Sequence, residues 1–184
     1  MLKMIVAISK NRGIGLGNSL PWKIKTDMNY FKNKTIGNGN NCVIMGKNTW
    51  FSLDPQIREP LPKRDKIVMS SSNLNITTAN TQSIKNIPEL YTLCNKKQYD
   101  DIFVIGGAQI YSTFLEEGLV DTVYITEIDE DYKCDTFFPK LPNDFYISHT
   151  TETVWENEIG LRFTTWNKEE VCNPGIIVTG LHAF

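Results

Sequence analysis

At 184 residues the chain is long enough to bury a sizeable core as one domain, without disulfide or metal staples. Its 19 basic and 21 acidic residues leave a formal charge of -2 with no long run of either sign, so the footprint of a nucleic-acid or membrane-surface binder is lacking and a small molecule is the expected partner. Cys42, Cys94, Cys134 and Cys172 stand far apart, and His149 and His182 add no metal-ligand spacing, so the cysteines read as reduced thiols of a cytoplasmic protein with no metal.

The first element is the apolar run Met4 to Ile8. It is far shorter than the ~18 residues that span a bilayer and carries one positive charge before it, so it reads as a strand and not as a signal peptide. A glycine-bearing stretch, Ser9 to Asn18, reads as a flexible loop that Leu20-Pro21-Trp22 ends, and a helix is expected from Ile24 to Lys34. Further buried strands are expected at Cys42 to Met45, Lys66 to Met69, Ile102 to Ile105 and Thr122 to Thr126, with helices at Asn48 to Leu53, Ile87 to Asn95 and Ala108 to Leu115. Strands apolar throughout that alternate with helices imply an α/β fold, a mostly parallel sheet with helices on both faces. Phe145 to Val154 and Leu161 to Trp166, facing each other across Glu156 to Gly160, predict an antiparallel hairpin that closes the sheet. Residues 169–184 give no clear element and are set apart as a C-terminal tail from a domain over 1–168.

Asp27 breaks the pattern of its helix. Ile24, Asp27, Met28 and Phe31 fall on one face at 3.6 residues per turn, which sets a carboxylate inside a core-facing stripe. A buried unpaired carboxylate costs several kcal/mol, so it either stays wet near the helix N-terminus or forms a pocket acid for a cationic or amidine-like ligand. Three strand-to-helix junctions carry glycine. Gly13-x-Gly15 lacks the last glycine and the helix of a dinucleotide fingerprint. Gly46-Lys47 lacks the first glycine and the hydroxyl residue of a Walker loop, but leaves a lysine at a helix N-terminus, either solvated or holding a phosphate. Gly106-Gly107, after an apolar strand, lets a backbone pass close to a ligand or simply makes a turn. Together with Ser70, Ser71 and Ser72, these junctions suit a dinucleotide with an extra phosphate.

At this point the chain resembles the dihydrofolate reductase family. The segments that carry the resemblance are Ile5-Val6-Ala7, Asn11-x-Gly13-Ile14-Gly15, Leu20-Pro21-Trp22, Asp27 with Tyr30-Phe31, Val43 to Trp50, Leu61-Pro62-x-Arg64, Val104 to Tyr111 and Asp135 to Pro139, in the family's order. The resemblance implies an eight-stranded, mostly parallel sheet with an antiparallel C-terminal strand. It also implies NADPH-dependent reduction of 7,8-dihydrofolate to 5,6,7,8-tetrahydrofolate, with dihydrofolate and antifolates as ligands. The protein is expected to be a monomer or part of a longer bifunctional chain.

The resemblance further assigns roles. Asp27 anchors the pterin N3 and 2-amino group, Thr126 supports it, and Leu20 and Trp22 complete the catalytic surroundings. Ile5, Ala7, Leu20, Met28, Phe31, Leu53, Leu61 and Ile105 wall the substrate, with Tyr111 beside them, and Arg64 takes the glutamate α-carboxylate as a fork. Ala7, Ile14, Asn18 and Ser19 face the nicotinamide half of the cofactor. Gly46, Lys47, Asn48, Thr49, Ser70 and Ser71 hold the adenosine half and 2′-phosphate, and Gly106, Gly107, Ala108, Gln109, Ile110 and Tyr111 follow the diphosphate, with a cis bond at Gly106-Gly107. Lys63 stands where the family often has glycine, which predicts a different local turn, and Gly17 is expected to loosen the mobile loop. A related reductase acting on a pyrimidine of riboflavin synthesis and a binding module without turnover are the competing readings, and Asp27 and Arg64 favour folate.

Overall fold

In the computed structural model, which describes residues 2–53, 61–74, 76 and 80–169, the elements follow one another as β1 (Leu2–Ile8), β2 (Gly13–Gly15), α1 (Lys25–Ile36), β3 (Cys42–Gly46), α2 (Lys47–Ser52), β4 (Asp65–Met69), β5 (Thr81–Ile84), α3 (Ile87–Lys97), β6 (Ile102–Val104), α4 (Ala108–Glu116), β7 (Thr122–Ile128), β8 (Thr136–Phe137), β9 (Phe145–Thr150), β10 (Val154–Glu156) and β11 (Ile159–Lys168). The main sheet runs β10-β11-β7-β1-β6-β3-β4-β5, and β9 pairs with β11 as well. β1, β3, β4, β5, β6 and β7 are mutually parallel, and β11 lies antiparallel to β7. β9 and β10 share one edge of β11 in succession, so the sheet is eight positions wide. This is the α/β sheet, mostly parallel with an antiparallel C-terminal strand, that the sequence implies.

Alternation along each strand divides the core in two, because successive side chains point to opposite faces. Met4, Val6, Cys42, Ile44, Ile67 and Val104 pack with Leu90 of α3 and Phe114 and Leu115 of α4. Their sequence neighbours Ile5, Val43, Met45, Val68 and Phe103 pack on the other face with Tyr30 and Phe31 of α1 and Trp50 of α2. Helices therefore cover both faces, which is why the middle of each central strand is mostly apolar on both of its sides. Each large side chain buried this way is worth about 1.5–3 kcal/mol.

Several local expectations change. The run Phe145 to Val154 is broken: β9 ends at Thr150, Thr151 N donates to Phe163 O at 3.0 Å, and β10 resumes at Val154. β5 was not anticipated, because in Thr81–Ile84 only Ile84 is buried and the edge position asks for no apolar alternation. The glycine stretch expected to be a flexible loop is ordered in part: β2 pairs with β8, and Leu16 and Ser19 exchange backbone bonds across Gly17 (φ 56) and Asn18 (φ 60), the two positive dihedrals of a type I′ turn. Glycine at 17 thus suits a left-handed position whose N–H is tied at 2.8 Å to Asp135 Oδ2, and the expectation of loosening does not follow from it. Lys63 takes a left-handed backbone (φ 62), the conformation that favours glycine. Cys42, Cys94 and Cys134 are free thiols, whereas Cys172, His182 and residues 170–184 of the tail lie outside the described residues.

Candidate active site

A cleft of about 840 Å³ opens at the carboxyl ends of the parallel strands, where the order of an open α/β sheet reverses around β1. Strand ends supply Ile5, Val6 and Ala7, Gly46, Met69 to Ser71, Ile105 to Gly107, and Thr126; the loop Ile14 to Leu20, α1, α2 and α4 supply the rest. Of the expected residues, Ile5, Ala7, Ile14, Asn18, Ser19, Leu20, Asp27, Met28, Phe31, Leu53, Leu61, Ile105, Tyr111 and Thr126 line it, and so do Gly46, Lys47, Asn48, Thr49, Ser70, Ser71 and the run Gly106 to Ile110. Val6, Gly15, Ser52, Met69, Thr113 and Thr136 also line it and were not anticipated. Most of them neighbour an anticipated residue, but nothing in the sequence distinguishes which side of a strand end faces the opening.

Asp27 lies in the first turn of α1 at 6% exposure. Burial pushes its carboxyl above the usual carboxylate range, the Thr126 hydroxyl offsets this by donating to it, and the charge of Glu156 raises it further. Among the described residues it enters no ion pair. The expected core-facing stripe needs correction: Ile24 is buried, but Met28 is 49% exposed because this face of α1 looks into the cleft. Tyr30, on the same helix, has its phenol pushed up to about 12 by burial, with Tyr124 and Asp27 adding to the shift. Tyr111 commits its hydroxyl to Ile5 O at 2.9 Å, so it offers the cleft its ring rather than a donor.

Two expected residues do not line the cleft. Trp22 packs at 7% exposure with Ile24, Ile128, Leu161 and Phe163, tilted against Tyr132 at 5.2 Å, and its indole N–H has no partner among the described residues. Arg64, at 5% exposure, lies behind the wall with its guanidinium 5.9 Å from the Phe31 ring centre. Its Nε donates to Pro62 O at 3.1 Å and its Nη1 to Thr35 Oγ1 at 2.6 Å. These bonds use two of the five N–H donors of a guanidinium and leave the Nη2 pair free of any described partner. Burial alone holds its pKa below the ordinary arginine value. Thr35, which orients Arg64, carries no sequence signal beyond lying one turn after Phe31.

At the other end, α2 and α4 begin at Gly46 and Gly107, neither of which has a side-chain cap, so their first N–H groups face the cleft. Gly46 N donates to Gly106 O at 2.8 Å, and the Gly106-Gly107 bond is cis, as the resemblance implies. A Cβ on Gly46 would meet Ile110 at 2.9 Å, and one on Gly107 would meet Thr49 Oγ1 at 3.3 Å, so the two glycines bring β3 and α4 together where the cleft narrows. Ser70 Oγ shares a hydrogen bond of 3.0 Å with Ser72, while the exposed Ser71 and Lys47 stand at the rim.

The comparisons with known proteins agree with this geometry. The family model described as dihydrofolate reductase matches residues 1–168. The chain is 36% identical over 151 residues to the dihydrofolate reductase of Schistosoma mansoni, covering 78% of this chain and 80% of that protein. It is 35% identical over 179 residues to the Pneumocystis carinii enzyme of the same name, covering 90% of this chain and 84% of that protein. It is also 37% identical over 175 residues to the bifunctional dihydrofolate reductase-thymidylate synthase of Daucus carota, covering 89% of this chain but only 33% of that longer protein. With a buried, unpaired carboxylate in the cleft, two uncapped helix starts opposite it and a family model that spans nearly the whole sequence, the chain belongs to the dihydrofolate reductase family.

Proposed function

We propose that the chain carries out the family's reduction of 7,8-dihydrofolate to 5,6,7,8-tetrahydrofolate with NADPH as the reductant, over a reductase domain of residues 1–168 that works as a cytoplasmic monomer or within a longer bifunctional chain. Asp27 carries the reading: a carboxylate this deeply buried, with Thr126 as its hydrogen-bond donor and no cation paired with it among the described residues, is stabilised by a ligand that brings donors of its own. The pterin N3–H and 2-amino group form such a donor edge. Ile5, Ala7, Leu20, Met28, Phe31, Leu53, Leu61 and Ile105 enclose its rings, and Arg64 draws the glutamate α-carboxylate toward its free Nη2 edge.

The residues present fit the cofactor. The uncapped helix starts at Gly46 and Gly107 suit phosphates, and Lys47, Asn48, Thr49, Ser70 and Ser71 lie where the adenosine half and 2′-phosphate would be held. Ala7, Ile14, Asn18, Ser19 and the run Gly107 to Tyr111 would take the nicotinamide half and the diphosphate. When bound, NADPH supplies the hydride that adds to pterin C6. Around that transfer, Asp27 holds the pterin edge and favours its cationic form. Among the described residues no Asp, Glu or His other than Asp27 lines the cleft, and the proton for N5 is assigned to water admitted past the Ile14 to Leu20 loop, which otherwise excludes solvent.

NADPH oxidation in the presence of dihydrofolate tests this reading. Asp27→Asn is expected to fold and to lose about 2–4 kcal/mol of transition-state stabilisation, because an amide cannot offer two acceptors to the pterin edge. Turnover within threefold of wild type at neutral pH would remove Asp27 from the reaction.

A further inference from the structure

Helix α1 has an unusual beginning. Its N-cap residue is Ile24, whose side chain has no acceptor, and no side-chain cap bond is made from that position. The first two helical N–H groups are satisfied from the far end of the chain: Lys25 N donates to Glu156 Oε1 at 2.9 Å and Thr26 N to Glu156 Oε2 at 2.7 Å. One carboxylate thus replaces the missing cap with both of its oxygens, at the positive end of the helix dipole.

Glu156 is itself held firmly. It is the last residue of β10 and pairs with Ile159 of β11 across a turn in which Asn157 (φ 50) and Glu158 (φ 67) both take the left-handed backbone. β11 in turn pairs with β7, which carries Thr126. The hairpin tip therefore clamps the start of α1 onto the strand whose threonine touches Asp27, the residue immediately after Thr26.

We propose that Glu156 is a positioning residue for the reduction: its carboxylate fixes the start of the helix that presents Asp27, Met28 and Phe31 to the cleft, and it places a second negative charge beside Asp27. This rests on the assignment of Asp27 to the substrate. The bonds from Thr26 and Lys25 hold Glu156 below the usual carboxylate range, so it is charged when the enzyme works, and that charge raises Asp27. The other groups that face Asp27 are the Thr126 hydroxyl from β7, the Tyr111 phenol from α4 and the Tyr30 phenol from α1, while the charge of Lys25 helps to hold Glu156 ionised. Both phenols are pushed upward and stay uncharged where a carboxyl titrates, so among the described residues Glu156 is the anion that raises Asp27. The arrangement keeps the pocket carboxyl easier to protonate than burial alone would, while the same group orients the helix that bears it.

The test compares wild type with Glu156→Gln and Glu156→Asp by two readouts. The first is titration of the Asp27 carboxyl in the ligand-free protein, followed by its labelled carboxyl carbon in magnetic resonance; the second is the pH dependence of dihydrofolate turnover. Glu156→Gln keeps the size and one acceptor but removes the charge. It is expected to shift the Asp27 titration to lower pH, to shift the matching inflection in turnover by the same amount, and to raise KM for dihydrofolate roughly fivefold, the equivalent of one lost cap. Glu156→Asp keeps the charge with a shorter reach, and is expected to restore the Asp27 titration toward wild type while leaving KM raised. An unmoved Asp27 titration in Glu156→Gln overturns the proposal whatever happens to turnover, and reduces Glu156 to a helix cap. A moved titration with an unmoved turnover profile instead strikes the part given to Asp27 in the reaction, and the positioning role falls with it.

Discussion

Arg64 is a cation at 5% exposure whose two bonds to described residues go to neutral acceptors, and those bonds leave much of its charge uncompensated. A carboxylate that reaches its free edge gains from both charge and geometry. Arg64→Leu is therefore expected to weaken dihydrofolate and methotrexate-like ligands, which carry the glutamate α-carboxylate, by about 2–4 kcal/mol. Trimethoprim-like diaminopyrimidines, which lack it, should bind as they do to wild type. Dissociation constants of both ligand types decide this, and equal weakening would leave Arg64 as packing beneath Phe31. One residue earlier, Lys63 holds a left-handed backbone at φ 62 that costs a side-chain-bearing residue energy a glycine avoids. Lys63→Gly is expected to stabilise the fold by up to about 1 kcal/mol, net of the extra chain entropy of glycine, read as a higher urea midpoint.

At the scale of elements, the loop from Gly13 to Ser19 is held by Asp135, which accepts from Gly17 N at 2.8 Å and donates its own N–H to Gly15 O at 3.0 Å. The Gly17 N–H and the Thr136 hydroxyl hold the Asp135 carboxyl below the usual range. A depressed carboxyl contributes fully above its ordinary pKa of 3.8 and is lost only as pH falls through the lower folded value, so this tie is intact throughout the neutral range. Asp135→Asn is expected to speed hydrogen exchange at the Gly17 amide at neutral pH, and an unchanged exchange rate would show that the β2–β8 pairing alone orders the loop.

Elements differ in how much of them can be read in advance. β1, β3, β4 and β6 are visible in the sequence because both of their faces are covered and each carries a continuous apolar run. β5, an edge strand with only Ile84 buried, and β2 with β8, a short pairing between segments far apart in the chain, leave no periodic trace. The site divides in the same way. Asp27 and the glycine junctions are legible because each breaks a local rule, and Arg64 is legible only through the resemblance to the family. Thr35 and Glu156 obey theirs and act only through residues that folding brings to them.

Across the whole molecule, the sheet sets the cleft where its strand order reverses, and the fold tolerates a carboxylate there at a cost to itself. Asp27 is raised above 3.8 by burial, so the folded protein holds a proton that the unfolded chain has lost between that value and the raised one. Its contribution to stability is complete below 3.8 and is lost as pH rises through the folded value, above which the charged form is buried with no ion-pair partner among the described residues. Such a group is retained for function and not for stability. The most direct measurement is thermal unfolding of wild type and Asp27→Asn at neutral pH, each alone and with a saturating diaminopteridine such as methotrexate. Asp27→Asn alone should melt at or above the wild-type temperature, while the upward shift given by the ligand should shrink sharply, because the donors of the ligand no longer meet a carboxylate. A ligand-free Asp27→Asn that melts well below wild type, with the ligand shift unchanged, would show that the carboxylate serves the fold and not the substrate.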